Sequence, residues 1–292
     1  LSASSYVPMH RNNLMAEAKF YHAFAAFNLL HSDAQSLFEK FIFDHPTHPK
    51  VDESNFYIGK LHFMRRAYDE ALPKLKKVDH SKLERKQVVQ SRFMQGYCYY
   101  EAGKNRESMN MFRQIANDKS SYGQQAAYYY AMMSYEAGDF NTAYTAFNRI
   151  DPDNEFAKGL EVYKASCLLK LKRYDELDAL GESLLKGKGR ASNNQVWFIL
   201  GNAAFDREQY AKTIEYFTKF ESSRGGVLNR SGQYRMGYSF YQGKDYAQAR
   251  PRFERCLNPE DEIAQNAYYY LGNCFLKIEK FENARTAFSK AA

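Results

Sequence analysis

The chain of 292 residues lacks the features that mark flexible linkers and membrane spans. It has only seven prolines and no run of glycine or serine, so no segment has the composition of a flexible linker. No stretch approaches the roughly 18 consecutive apolar residues of a membrane-spanning helix. The sequence therefore predicts an ordered chain with short loops and no membrane span.

Motifs for catalysis and metal binding are missing as well. The sequence contains no phosphate-binding loop, no dinucleotide-binding glycine motif, no nucleophile elbow and no His-Glu-x-x-His pair. His45 and His48 flank Pro46, but no cysteine or second histidine pair stands at metal-ligand spacing. The acidic residues are scattered along the chain. We therefore predict that the protein is not an enzyme and holds no metal or other cofactor.

What the sequence does contain is an internal repeat with a period of 34 to 37 residues. A mostly small residue recurs in eight stretches, at His22, Gly59, Gly96, Ala131, Ala165, Gly201, Gly237 and Gly272. A second, mostly small series follows at Ala34, Ala71, Ser108, Ala143, Leu177, Thr213, Ala249 and Ala284. A third, mostly large and apolar, follows at Phe38, Leu75, Phe112, Phe147, Gly181, Phe217, Phe253 and Phe288. Such a period is typical of a helical solenoid, in which each repeat buries its apolar face against its neighbours.

The predicted fold is all-α, a right-handed superhelical solenoid of about eight helix pairs. Residues 1–14 are predicted to be an N-terminal extension and residues 15–292 the solenoid. The repeats are predicted to start near residues 15, 52, 89, 124, 158, 194, 230 and 265. Because the chain begins without Met and ends within its last repeat, we expect it to be a fragment of a longer protein.

The turn between the two helices of a repeat has its own sequence signals. Gly103 and Gly138 at repeat position 15, and Gly243 at position 14, fit a left-handed cap at the end of the first helix. Asp139 and Asp245 follow, where each can cap the next helix. The small residue at position 8 is expected to let the two helix axes approach closely.

The repeat resembles the tetratricopeptide repeat over roughly residues 15–292. The stretch from residue 194 carries the resemblance clearly, with Trp197, Leu200, Gly201, Tyr210 and Phe217 at the family's positions. The resemblance implies a scaffold that binds other proteins. It does not extend to the carboxylate clamp of co-chaperones, because Phe198 and Tyr269 stand where the clamp needs lysine, beside Asn202 and Asn273.

A narrower resemblance concerns location. Segments such as AYYYAMMSYEAGDFNTAYTAFNRI look like long multi-repeat proteins of this family from the cell envelope of Bacteroidetes-type bacteria. That resemblance implies the periplasm or cell envelope, with the cytoplasm as the alternative. It does not identify a partner.

The resemblance also implies which face binds. Positions 5, 9 and 12 of each first helix line the concave groove of the family's superhelix, and here they are unusually aromatic. We predict a groove that holds a peptide or helical segment of a partner, lined by Phe56, Phe63, Phe93, Tyr97, Tyr100, Tyr128, Met132, Tyr135, Phe198, Phe205, Tyr234, Tyr238 and Tyr241. The alternative is that these rings pack on the adjacent repeat.

The charge of the chain suggests a second surface. Its net charge is +7, and seven basic residues lie between Lys74 and Arg92 against only Asp79 and Glu84. The candidate patch for an acidic partner comprises Lys74, Lys76, Lys77, Lys82, Arg85 and Lys86. The alternative is an ordinary solvated helix surface. A basic, aromatic solenoid could also bind nucleic acid, but no base-reading residue recurs at one groove position.

Overall fold

The computed structural model describes residues 3–186 and 193–292. Within these residues the chain forms sixteen α-helices and no strand, which confirms the predicted all-α fold of eight helix pairs. The helices are α1 (Ala3–Asn28), α2 (Ala34–Asp44), α3 (Val51–Met64), α4 (Tyr68–Lys76), α5 (Arg85–Glu101), α6 (Asn105–Ile115), α7 (Ser121–Glu136), α8 (Phe140–Phe147), α9 (Leu160–Lys170), α10 (Tyr174–Lys186), α11 (Asn193–Asp206), α12 (Tyr210–Ser222), α13 (Arg230–Gln242), α14 (Tyr246–Glu254), α15 (Glu262–Lys277) and α16 (Phe281–Ala291).

The helices divide into two compact units, the first ending at Phe156 and the second beginning at Ala157. In both units each odd-numbered helix packs antiparallel on the even-numbered helix that follows. We call these the first and second helices of a repeat. First helices also pack on the first helices of neighbouring repeats, as α3 does on α5 and α13 on α15. None of the helices within the described ranges has the length and apolar content required to cross a membrane.

The recurring glycine is the point of closest approach within a repeat. A Cβ atom built on Gly201 would lie 2.5 Å from Cδ1 of Phe217, and one built on Gly272 would lie 2.8 Å from Cε1 of Phe288. In the repeat of Gly59 the corresponding contact is with Leu75. Real carbon atoms do not approach this closely, so a larger side chain would force the helices apart.

The predicted register is wrong by one residue in the first helix of the first repeat. His22 is exposed, whereas Ala23 is completely buried and occupies the small position. The turn is the reason: its left-handed residue, Leu30, lies four residues before Ala34, whereas Arg66 in the next repeat lies five residues before Ala71. An alignment anchored on the second helix therefore misplaces the first. The predicted extension is also helical from Ala3, because it continues α1.

The turn between paired helices closes with one left-handed residue, at repeat position 15. In the second to eighth repeats these residues are Arg66, Gly103, Gly138, Lys172, Glu208, Lys244 and Glu279. Two hydrogen bonds of a Schellman motif satisfy carbonyl groups at the end of the first helix. At the end of α5, Gly103 N donates to Tyr100 O and Lys104 N donates to Tyr99 O, both at 2.9 Å. The prediction for Gly243 is wrong, because its φ is −75° and Lys244 takes the left-handed conformation.

The predicted caps of the second helices are confirmed. The Asp139 carboxylate accepts a hydrogen bond from Thr142 N at 3.0 Å, and that of Asp245 accepts one from Gln248 N at 3.1 Å. These bonds satisfy backbone donors that have no partner within their own helix.

Replacing Glu208 by Gly is expected to raise the free energy of unfolding by about 0.5–1 kcal/mol. Glu208 has a φ of 58°, a left-handed conformation that costs a residue with a Cβ about 1–2 kcal/mol. Glycine relieves this strain, but part of the stabilisation is lost because glycine has more conformational freedom in the unfolded chain. Urea unfolding followed by circular dichroism measures the change. The matched control is Gly103→Ala, with a φ of 68° at the same position, which should lower stability. If both changes acted in the same direction, backbone strain would not explain them.

Candidate protein-binding face

The predicted groove residues lie on the layer of first helices in each unit. We call positions 5, 9 and 12 of every first helix the stripe. With the corrected register, the stripe of the first unit comprises Phe20, Phe24, Phe27, Phe56, Lys60, Phe63, Phe93, Tyr97, Tyr100, Tyr128, Met132 and Tyr135. That of the second unit comprises Val162, Ser166, Leu169, Phe198, Asn202, Phe205, Tyr234, Tyr238, Tyr241, Tyr269, Asn273 and Leu276.

Part of the stripe in the first unit forms a cluster of aromatic rings around Tyr97. We call Phe63, Tyr68, Tyr97, Tyr100 and Tyr129 ring cluster 1. The centroid of the Tyr97 ring lies 5.6 Å from that of Phe63, 5.4 Å from that of Tyr68 and 5.6 Å from that of Tyr129, all in edge-to-face geometry. Such pairs contribute about 0.5–1.5 kcal/mol beyond the burial of area. The rings therefore hold neighbouring repeats together.

The second unit repeats this arrangement four repeats later in the chain. Ring cluster 2 comprises Phe205, Tyr210, Tyr238, Tyr241 and Tyr270, at the same repeat positions as the members of ring cluster 1. Tyr238 contacts Phe205 at 5.8 Å, Tyr210 at 5.7 Å and Tyr270 at 5.0 Å between centroids, again edge to face. The matching geometry shows that these repeat positions dictate one packing motif.

Burial divides the thirteen predicted groove residues into three groups. Phe56 and Phe93 belong to the core, with 0% and 4% of their surface exposed, so they cannot line a groove. Phe93 is covered by Tyr122 and Tyr129 of the next repeat, at centroid distances of 5.3 and 6.3 Å. Tyr100 is exposed, at 40%. The other ten are half-buried: Phe63, Tyr97, Tyr128, Met132, Tyr135, Phe198, Phe205, Tyr234, Tyr238 and Tyr241.

The hydroxyl groups inside the ring clusters are removed from bulk water. Burial raises the pKa of Tyr97, Tyr129 and Tyr270. It also raises the pKa of Tyr234, which stacks on Tyr238 of ring cluster 2, to about 12. These phenols are therefore neutral near pH 7. They can offer a partner an apolar ring and a neutral hydroxyl, but no charge.

Several surface residues escaped the sequence-based prediction. On the first-helix layer Met64, Tyr269 and Leu276 are 53%, 51% and 42% exposed. Tyr129 and Tyr270, which complete the ring clusters, stand at repeat position 6, outside the stripe. The signal that could have found them is the run of three tyrosines in each of the stretches 128–130 and 268–270.

The candidate basic patch is only partly free. Three of its residues form ion pairs within the unit: Lys74 with Glu39 at 3.4 Å, Lys82 with Asp52 at 3.0 Å and Arg85 with Asp118 at 3.3 Å. Bonding to the Asp52 carboxylate raises the pKa of Lys82. Lys76, Lys77 and Lys86 are exposed. The field of the patch is therefore weaker than its sequence suggests.

Lys60 is the one charged residue of the stripe. It lies on α3, is half-buried, and its Nζ donates a hydrogen bond to Oε1 of Gln90 on α5 at 3.3 Å. Lys60 occupies position 9 of the stripe but was not among the predicted groove residues. Among the residues that the structure describes, no group of three His, Cys, Asp or Glu side chains could hold a metal ion.

Tetratricopeptide repeat family models match residues 90–118 and 234–292, one segment in each unit. Repeats of this kind typically form protein-binding scaffolds rather than catalytic sites. No curated protein sequence matches the chain.

Solved structures with similar folds are also of this repeat class. A tetratricopeptide repeat protein from Parabacteroides merdae matches with a TM-score of 0.45 and 13% identity, over 89% of this chain and 98% of that one. The C-terminal part of such a protein from Cytophaga hutchinsonii matches with a TM-score of 0.47 and 16% identity, over 85% and 98%. At these scores the similarities carry no argument about function.

Proposed function

We propose that the protein is a non-catalytic scaffold whose first-helix layer binds a peptide or helical segment of a partner protein. The observation that carries the proposal is the accessible aromatic surface on this layer. Ten predicted stripe residues keep part of their surface exposed, and Tyr100 keeps 40% of its surface exposed. Rings that are already packed on one side form a rigid surface, so binding a partner costs little conformational entropy.

The rings suit a partner segment with large apolar side chains. Tyrosine is enriched among residues that dominate binding energy, because it offers a large area with few rotatable bonds. The exposed Tyr100 adds a hydroxyl group that can form a hydrogen bond to a partner. The nucleic-acid alternative is weaker, because half of the basic patch is paired with carboxylates of the same unit. A location in the cell envelope stays a prediction from the sequence resemblance.

The test compares two exposed rings of the first unit. Peptides selected from a random phage-displayed library on the unaltered protein serve as the probe. Tyr100→Ala should weaken their binding about thirty-fold, which corresponds to the roughly 2 kcal/mol of a binding hot spot. The matched control is Phe43→Ala, which removes a ring that is 85% exposed on the second helix α2. It should leave affinity unchanged. Loss of binding in the control alone would place the binding surface on the second helices.

A further inference from the structure

Lys60 stands out because of where its charge lies. The three stripe positions of the eight first helices otherwise carry only aromatic, aliphatic or neutral polar side chains. In the second unit, the asparagines at the same repeat position bond to their own helix. Asn202 Nδ2 donates to Phe198 O at 2.8 Å, and Asn273 Nδ2 donates to Tyr269 O at 3.0 Å. Lys60 has no such partner in its own helix.

Three first helices surround the Lys60 ammonium group. Its Nζ lies 5.5 Å from the ring centroid of Phe27 on α1 and 5.9 Å from that of Phe56 on α3, and Gln90 on α5 accepts its hydrogen bond. Burial lowers the pKa of Lys60, and the positive charge of Lys86 lowers it further. The Lys60 ammonium group therefore contacts two aromatic rings and has a second cation, Lys86, nearby.

Lys60 forms no ion pair within the part of the chain that the structure describes. Among the described residues no carboxylate oxygen lies within 4.0 Å of its Nζ, and residues 1–12 contain neither Asp nor Glu. Glu53, two turns earlier on α3, is already bound by Lys50 at 2.6 Å and by Gln87 at 3.0 Å. Partial burial of an ammonium group without a carboxylate is unfavourable, and two ring contacts with one amide bond offset only part of that cost.

We infer that Lys60 pairs with a Glu or Asp side chain of the bound partner segment. The inference rests on the proposed function and specifies the partner's chemistry: one acidic residue flanked by large apolar residues. The carboxylate would supply the missing counter-charge, while the flanking side chains pack on the half-exposed rings of Phe24, Phe63 and Tyr97. Lys86, exposed on α5, adds attraction for the same acid.

The test uses three synthetic peptide pools that share apolar flanks and differ only in a central Glu, Gln or Lys. The unaltered protein should bind the Glu pool at least ten-fold more tightly than the Gln pool. K60M should erase that preference, and K60E should transfer it to the Lys pool. K60M should also melt at the same or a higher temperature, because it replaces a partly buried charge with an apolar chain of similar length.

The outcomes separate the Lys60 assignment from the proposed function. Equal binding of the Glu and Gln pools, together with loss of both in Tyr100→Ala, would overturn the assignment and leave the protein-binding surface standing. Binding that Tyr100→Ala does not weaken, or no binding of any pool, would overturn both. A lower melting temperature of K60M with its Glu preference intact would make Lys60 a structural residue. Binding of a single-stranded oligonucleotide that is lost in K60M would mean that Lys60 pairs with a phosphate rather than a carboxylate. That result would also contradict the assignment.

Discussion

Gly201→Leu is expected to lower the free energy of unfolding of the second unit by about 1–3 kcal/mol. The side chain would enter a space already filled by the Phe217 ring, which has no exposed surface. Overpacking of this kind typically costs that amount, and the better helix propensity of leucine returns less than about 1 kcal/mol. Thermal unfolding followed by circular dichroism should show a melting temperature lower by several degrees.

The matched control for this change is Gly243→Leu. Gly243 has an ordinary φ of −75°, and a Cβ there would meet no atom closer than 3.5 Å. The control should therefore melt close to the unaltered protein. Equal melting of Gly201→Leu and the unaltered protein would mean that the glycine is not a close-contact residue. Leucine is used rather than alanine, because Ala131 occupies the same repeat position and shows that an alanine is tolerated there.

Tyr97→Ala and Tyr238→Ala are each expected to lower the free energy of unfolding by about 3–5 kcal/mol. Each ring is the centre of its ring cluster and joins the first helices of consecutive repeats. Removal of a large packed ring typically costs this amount, because the space left behind does not close. Urea unfolding monitored by circular dichroism measures the loss.

Two kinds of control variant test the ring clusters. The first keeps the central ring, and the second removes a ring at the edge of the cluster. Tyr97→Phe and Tyr238→Phe should lose far less stability, since all ring contacts remain. Tyr100→Ala should also cost less, because Tyr100 is 40% exposed at the edge of ring cluster 1. If Tyr97→Ala were as stable as Tyr100→Ala, the centre of the cluster would be a solvent-facing surface rather than a packed joint.

The helix pairs could be predicted from the sequence because the contacts that hold each pair together lie within a single repeat. Gly96 and Phe112 stand a fixed distance apart within one repeat, and a single pair of helices brings them together. The same holds for the Asp139 cap. The misplacement of His22 arose where this regularity fails: Ala23 and Ala34 are 11 residues apart, whereas Gly59 and Ala71 are 12 residues apart. The error at Gly243 had a different cause: repeat position 15 gives Lys244, and the residue type of Gly243, one position earlier, was misleading.

The binding face could be predicted only in outline, because its exposure depends on neighbouring repeats. Phe93 occupies a stripe position, yet Tyr122 and Tyr129 of the next repeat cover it. The setting of Lys60 is equally non-local, since it arises from Phe27 one repeat earlier and Gln90 one repeat later. A periodic pattern identifies the stripe, but the contacts between repeats decide which of its residues a partner can reach.

Photo-crosslinking tests the central claim, that the first-helix layer binds the partner, most directly. A benzophenone amino acid is placed in separate variants at Met64, which is 53% exposed on the first helix α3, and at Phe43, which is 85% exposed on the second helix α2. Each variant is irradiated with a peptide selected on the unaltered protein. The account predicts a crosslink from Met64 and none from Phe43. A crosslink from Phe43 with none from Met64 would contradict it.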